Sequence, residues 1–163
     1  MFVLRVRLLI ATLWVGSLWA VGYLVVPTLF ATLSDRVLAG SIAGNIFRAE
    51  AWLSIFCAAV LMMLQKLQAT SGNSAQRRFL LLLICAMLAC TLISHFGLQP
   101  FMAALREQAG PSGVMASDTK MQFGILHGLY SALYLIQRLL GVMLILKVRV
   151  DGLDPVRRFR RGP

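Results

Sequence analysis

The sequence predicts an all-α fold, an integral membrane four-helix bundle with both termini cytoplasmic, and three observations carry that prediction. The 163 residues are 59% hydrophobic and only 13% charged, with mean hydropathy +0.79, too little polar surface for a water-soluble domain of this size. Four stretches are long and apolar enough to cross about 30 Å of hydrocarbon, which takes about 20 residues at 1.5 Å each. Lys and Arg are distributed unevenly between the two sets of connecting segments.

The first span runs over about residues 8–33, the uncharged stretch between Arg7 and Asp35. It is about twice the length of a signal-peptide core and no small-x-small cleavage site closes it, so it reads as an uncleaved helix. Pro27 would kink it or mark where it leaves the membrane. The second span, about 42–65, is charge-free only from Ala51 to Gln65, so its helix must extend back through Glu50 and Arg48 to a start at Ser34-Asp35. The third, about 79–101, is uncharged from Phe79 to Leu105 and carries Pro100 near its end. The fourth, about 121–146, is interrupted by Arg138, which is therefore inside the membrane. Linkers at 68–76 and 108–119 are rich in Ser, Thr, Asn, Gln, Gly and Pro and read as exposed turns. One domain and a short basic cytoplasmic tail, 147–163, account for the chain, with no internal repeat.

Four spans place Arg5, Arg7, Lys66, Arg77, Arg78, Lys147, Arg149, Arg157, Arg158, Arg160 and Arg161 on one side, and only Arg36, Arg48, Arg106 and Lys120 on the other. Positive loops stay in the cytoplasm, so both termini face inward across a bacterial inner membrane. This asymmetry explains the net charge of +10 without nucleic acid. The tail Arg157-Arg158-Phe159-Arg160-Arg161 would lie on anionic headgroups, at about 1 kcal/mol per basic residue near the surface.

Gly16 with Val26-Pro27-Thr28-Leu29-Phe30, Ala39-Gly40-Ser41-Ile42-Ala43-Gly44-Asn45-Ile46-Phe47, Gln99-Pro100 with Leu105-Arg106, Phe123-Gly124 and Leu126-His127-Gly128 together resemble the bacterial transmembrane protein 205-like family. The resemblance covers nearly the whole chain and implies a four-helix integral membrane protein of no established biochemical activity. The chain also looks distantly similar to copper-resistance-D and protoporphyrinogen-oxidase-like membrane proteins, some of which bind haem or metal through helix histidines. Family members often carry Ser and Asn after the His-Gly, where this chain has Leu129-Tyr130-Ser131.

Ionisable residues at membrane depth are expensive and mark candidate sites. Counting from the inner boundary puts Glu50 and His95 about 24 Å up, Arg48 about 27 Å and His127 about 30 Å, with Asn45, Gln99 and Gln122 in the same layer or just above it. These form a candidate polar layer near the outer interface for a partner, lipid or small solute. A second reading takes His95 and His127 as ligands of haem b or of a copper or zinc ion, held between antiparallel helices. The bland reading bonds both histidines to backbone, Gln99, Glu50 or headgroups. A transporter subunit using Arg138, Glu50 and the histidines would need an oligomer, since four helices without an inverted repeat leave little room for alternating access.

Arg138, about 13 Å up by the same count, would snorkel to inner headgroups, lean on Thr91, Ser17 and backbone carbonyls, or bind an anionic group. Gly40-x-x-x-Gly44 and Gly124-x-x-x-Gly128 favour close helix packing within the bundle over dimerisation. Trp14, Trp19 and Tyr23 read as one packing stripe. Cys57, Cys85 and Cys90 read as reduced thiols, with Cys85 and Cys90 on different faces. The sequence holds no Ser-His-Asp set, no paired carboxylates and no phosphate loop, so it offers no enzymatic signature.

Overall fold

In hydrocarbon each backbone N–H and C=O must find its partner within its own segment, so the four apolar stretches become helices and run on until polar loops release them. The computed structural model describes residues 2–67, 74–110 and 113–159; of the linker positions read from the sequence, 68–73, 111 and 112 lie outside these, as do residues 160–163 of the tail. We name the helices α1 (Phe2–Thr32), α2 (Arg36–Leu67), α3 (Ser74–Ala109) and α4 (Lys120–Phe159). Among the described residues there is no strand. All four helices are long and apolar enough to span a membrane, α4 over Lys120–Val148.

The helices outrun the uncharged stretches, because a helix does not stop where hydrocarbon stops. Thus α1 has 31 residues, about 46 Å. Arg7, expected to mark the membrane edge, lies within α1 and is 4% exposed. The start of α2 follows its local chemistry: Asp35 Oδ1 accepts from the Val37 and Leu38 N–H groups at 2.8 and 3.0 Å, an N-cap.

Helix α1 packs against α2 and α4, and α3 packs against the same two, so the four close into a ring. Its shared core is built from Trp14 and Leu18, Cys57 and Leu61, Leu80, Ile84 and Met87, and Leu144 and Val148. Large apolar side chains such as Leu9, Trp52, Phe56, Leu82, Phe101 and Ile125 face outward. An apolar exterior of this extent suits lipid. Cys57 and Cys90 are buried and Cys85 is exposed, all three as free thiols.

Neither proline ends its helix. Just before each, the chain widens into a π turn, Val21–Val25 ahead of Pro27 and Ile93–Leu98 ahead of Pro100. Val26 N–H bonds to Val21 O and Gln99 N–H to Ser94 O, five residues back in both cases. Proline lacks an N–H and crowds the preceding turn, and the wider turn absorbs that misfit without a break.

The tightest helix contacts fall at glycines the sequence pattern did not mark. A Cβ at Gly141 would meet Val15 Cγ2 at 2.8 Å, and one at Gly22 would overlap the Arg138 guanidinium. Conversely, a Cβ at Gly40, Gly124 or Gly128 would meet nothing within 4 Å, so Gly124-x-x-x-Gly128 is not an internal packing motif. Gly44 alone of the expected four is closely covered, by Arg106 and Gln99 side chains. The aromatic stripe also divides: Trp14 is fully buried, whereas Trp19 and Tyr23 face outward and touch each other at 5.3 Å. Five residues turn a helix by about 140° beyond a full revolution, so Trp14 and Trp19 cannot share a face.

Candidate functional site: a polar cavity among the helices

Polar side chains inside a lipid-facing helix must point inward, and here they do so at helical spacing. Glu50 and Ser54 on α2, Thr91, Ser94 and His95 on α3, and Tyr130, Tyr134 and Gln137 on α4 line a cavity together with Leu18, Phe47 and Ala51. Its volume is about 20 Å³, room for one water molecule. Glu50 and Ser54 lie near the half-length of α2, Thr91 to His95 near that of α3, and Tyr130 to Gln137 near the middle of the Lys120–Val148 part of α4. The depth count from the sequence took its boundaries from the charges that bound the uncharged stretches, and α1, α2 and α3 extend past those charges.

Around the cavity most polar groups are paired. Trp14 Nε1 donates to Ser54 Oγ at 2.8 Å, and Gln137 Nε2 donates to Thr91 Oγ1 at 2.9 Å, whose own hydroxyl donates to Met87 O at 3.2 Å. Tyr134 O–H donates to Leu18 O at 3.0 Å. Two groups stand out. Ser94 Oγ has no hydrogen-bond partner although the residue is 5% exposed. Glu50 is 6% exposed and among the described residues its carboxyl bonds only with Ser17, whose Oγ lies 3.0 Å from Glu50 Oε1 and 2.8 Å from Trp14 O. A buried carboxyl without a cation is costly unless a proton or a ligand compensates it.

Arg138 adjoins the cavity across Tyr134. Its guanidinium rests on the Tyr23 and Tyr134 rings, 4.3 Å from each centroid, and against the bare backbone of Gly22 in the first π turn. Residues of an α-helix aim their side chains toward its N-terminus. Arg138 accordingly reaches up α4 toward Tyr134 and the π turn of α1, away from the end of the helix that carries the tail.

The remaining residues of the expected polar layer separate from the cavity. Asn45, Arg48 and Gln122 are exposed, though Arg48 is near enough to act electrostatically on His95. Gln99 is half-buried and covers Gly44 beside Arg106. His127 is exposed and stacks on Phe123 at 6.0 Å, a ring that also carries the Arg106 guanidinium at 5.3 Å. Thus His95 lines the cavity and His127 does not. Among the described residues no three His, Cys, Asp or Glu side chains converge as a metal site. Ser54, Ser94, Tyr130, Tyr134 and Gln137 did not stand out in the sequence, because hydroxyls and a single amide occur widely in apolar helices and charge and depth do not single them out. Their spacing was visible: Glu50 and Ser54 are i, i+4, and Tyr130, Tyr134 and Gln137 run i, i+4, i+7.

Fold and site together define a four-helix protein built to span a membrane, with hydrogen-bonding groups gathered within the spans. The chain belongs to the family described as Domain of unknown function (DUF4149), whose model matches residues 9–111. That match takes in the cavity residues of α2 and α3, while Tyr130, Tyr134, Gln137 and Arg138 lie beyond it. No curated protein and no solved structure matches the chain.

Proposed function

We propose that this is a multi-pass protein of the bacterial inner membrane, with both termini cytoplasmic, that admits a small polar solute to the Glu50–His95 cavity within its spans. The observation that carries the reading is Glu50, buried at half-length of α2 in a water-sized space shared with His95 and the unpartnered Ser94 hydroxyl. The excess of Lys and Arg on one set of segments supports the orientation. The resemblance of its residue pattern to transmembrane protein 205-like sequences supports the same class.

The test is solute access to the cavity. In a background with Cys57, Cys85 and Cys90 changed to Ala, S94C and H95C are exposed in liposomes to a small polar thiol reagent. Both react if the reading holds, with S94C slower because it is deeper. An S94C thiol as inert as one at the fully buried Leu144 (L144C) would overturn it.

A further inference from the structure

We infer that Glu50 is a proton-binding site, loaded and emptied through the half-buried His95 of the cavity lining by way of one water held against Ser94. The inference rests on the proposed access to the cavity and names its occupant.

Hydrogen-bond accounting at Ser17 is the first support. Its hydroxyl has one proton, yet its oxygen is within bonding distance of two groups, Trp14 O at 2.8 Å and Glu50 Oε1 at 3.0 Å. Both contacts are full hydrogen bonds only when Glu50 carries a proton and donates it to Ser17 Oγ, leaving the Ser17 hydroxyl to donate to Trp14 O. With Glu50 ionised, one proton would be divided between two acceptors.

The cavity supplies the route. Its 20 Å³ takes one water, and the buried Ser94 Oγ, which has no other partner, faces the same space as Glu50 and His95. A proton arriving on one imidazole nitrogen of His95 lets the other nitrogen release its own to the water. As the water accepts that proton it passes one of its two to a Glu50 oxygen, forming the carboxyl O–H while its own O–H bond breaks. The water is restored and His95 is left neutral in the alternative tautomer. Unloading runs the steps in reverse.

Charged and titratable groups around Glu50 leave both states open. Cys57 lies on its own helix, His95 and Arg106 on α3, and Tyr130, Tyr134 and Arg138 on α4. Arg138, held on two rings and without a carboxylate contact among the described residues, shares the Tyr134 neighbour with Glu50 and offsets in part the charge Glu50 acquires when its proton leaves. Loading Glu50 thus raises the charge of this cluster by one and unloading lowers it by one.

Infrared spectroscopy of the protein in lipid tests the inference. The expected result is a protonated-carboxyl band that is absent from E50Q, shifts in deuterium oxide and is lost reversibly on raising the pH over the range in which the protein stays folded. S17A should move the band without removing it, which guards against a folding defect in E50Q. H95F should slow deuterium exchange at the band at least tenfold while leaving the band present. A band that ignores pH, the lack of any Glu50 band, unaltered exchange in H95F, or a titration midpoint that moves when sodium replaces choline would each overturn it, the last by naming a metal cation as occupant. Where S94C reacts but no band titrates, solute access stands and the proton inference alone fails; where S94C is inert, both fail.

Discussion

Gly22 and Gly16 lie on the same helix, and changing each to Ala should move stability in opposite directions. At Gly22 the new Cβ would occupy the space of the Arg138 guanidinium and come within 2.9 Å of the Tyr134 ring, whereas at Gly16 it would meet nothing within 4 Å. Arg138 is 7% exposed and rests on two rings at 4.3 Å each. Desolvated cation–π contacts contribute up to about 2 kcal/mol apiece, so displacing the guanidinium from both would cost up to about 4 kcal/mol. The clashing atom is the end of a flexible side chain, which can reseat in part. We therefore expect G22A to lose about 1–3 kcal/mol, and G16A to gain about 0.5–1 kcal/mol from helix propensity alone. Equilibrium unfolding in mixed micelles, followed by helical circular dichroism, reads both. In an R138L background, where the Tyr134 ring still meets the new Cβ, the G22A penalty should fall by about half, which ties that share of the loss to the guanidinium. A G22A protein as stable as wild type, or an undiminished penalty in R138L, would refute the reasoning.

Three other expectations use the same assay. W14F and S54A should each cost about 1–3 kcal/mol by orphaning one end of a buried 2.8 Å hydrogen bond, and the double variant should cost little more than either single change. G141V should lose about 1–3 kcal/mol because its Cβ meets Val15 at 2.8 Å and Met87 at 3.4 Å, while G124V, on an open face, should stay within about 0.5 kcal/mol of wild type. D35A should cost about 0.5–2 kcal/mol through the lost cap of α2, and D35N, which keeps the acceptor oxygen, should restore most of it.

Much of the fold was legible in the residues themselves. Four apolar stretches became four helices because lipid obliges each backbone segment to bond to itself, which is decided by local composition and needs no knowledge of neighbours. Asp35 stood out as the start of α2 for the same reason, since a cap is a contact over two or three residues. The division of Cys85 from Cys90 followed from helical angle alone. The candidate site was legible only in part: Glu50 and His95 were singled out by their charge and depth, but they were grouped with His127, Gln122 and Asn45, which the structure leaves outside the cavity.

Rotation and axial offset of each helix separate those two groups, and neither is a property of one helix. They depend on which surfaces fit: Gly141 admits Val15, Gly22 admits Arg138, and Trp14 reaches Ser54 across the α1–α2 interface. The π turns before Pro27 and Pro100 then set the cavity's neighbourhood, one receiving Arg138 and the other presenting Ser94 and His95. Sequence alone therefore determined that this chain has four spans and which residues were too polar to face lipid without cause. Tertiary packing decided which of them meet, because burying a polar group is a contract between helices whose relative turn and height only their mutual fit can set.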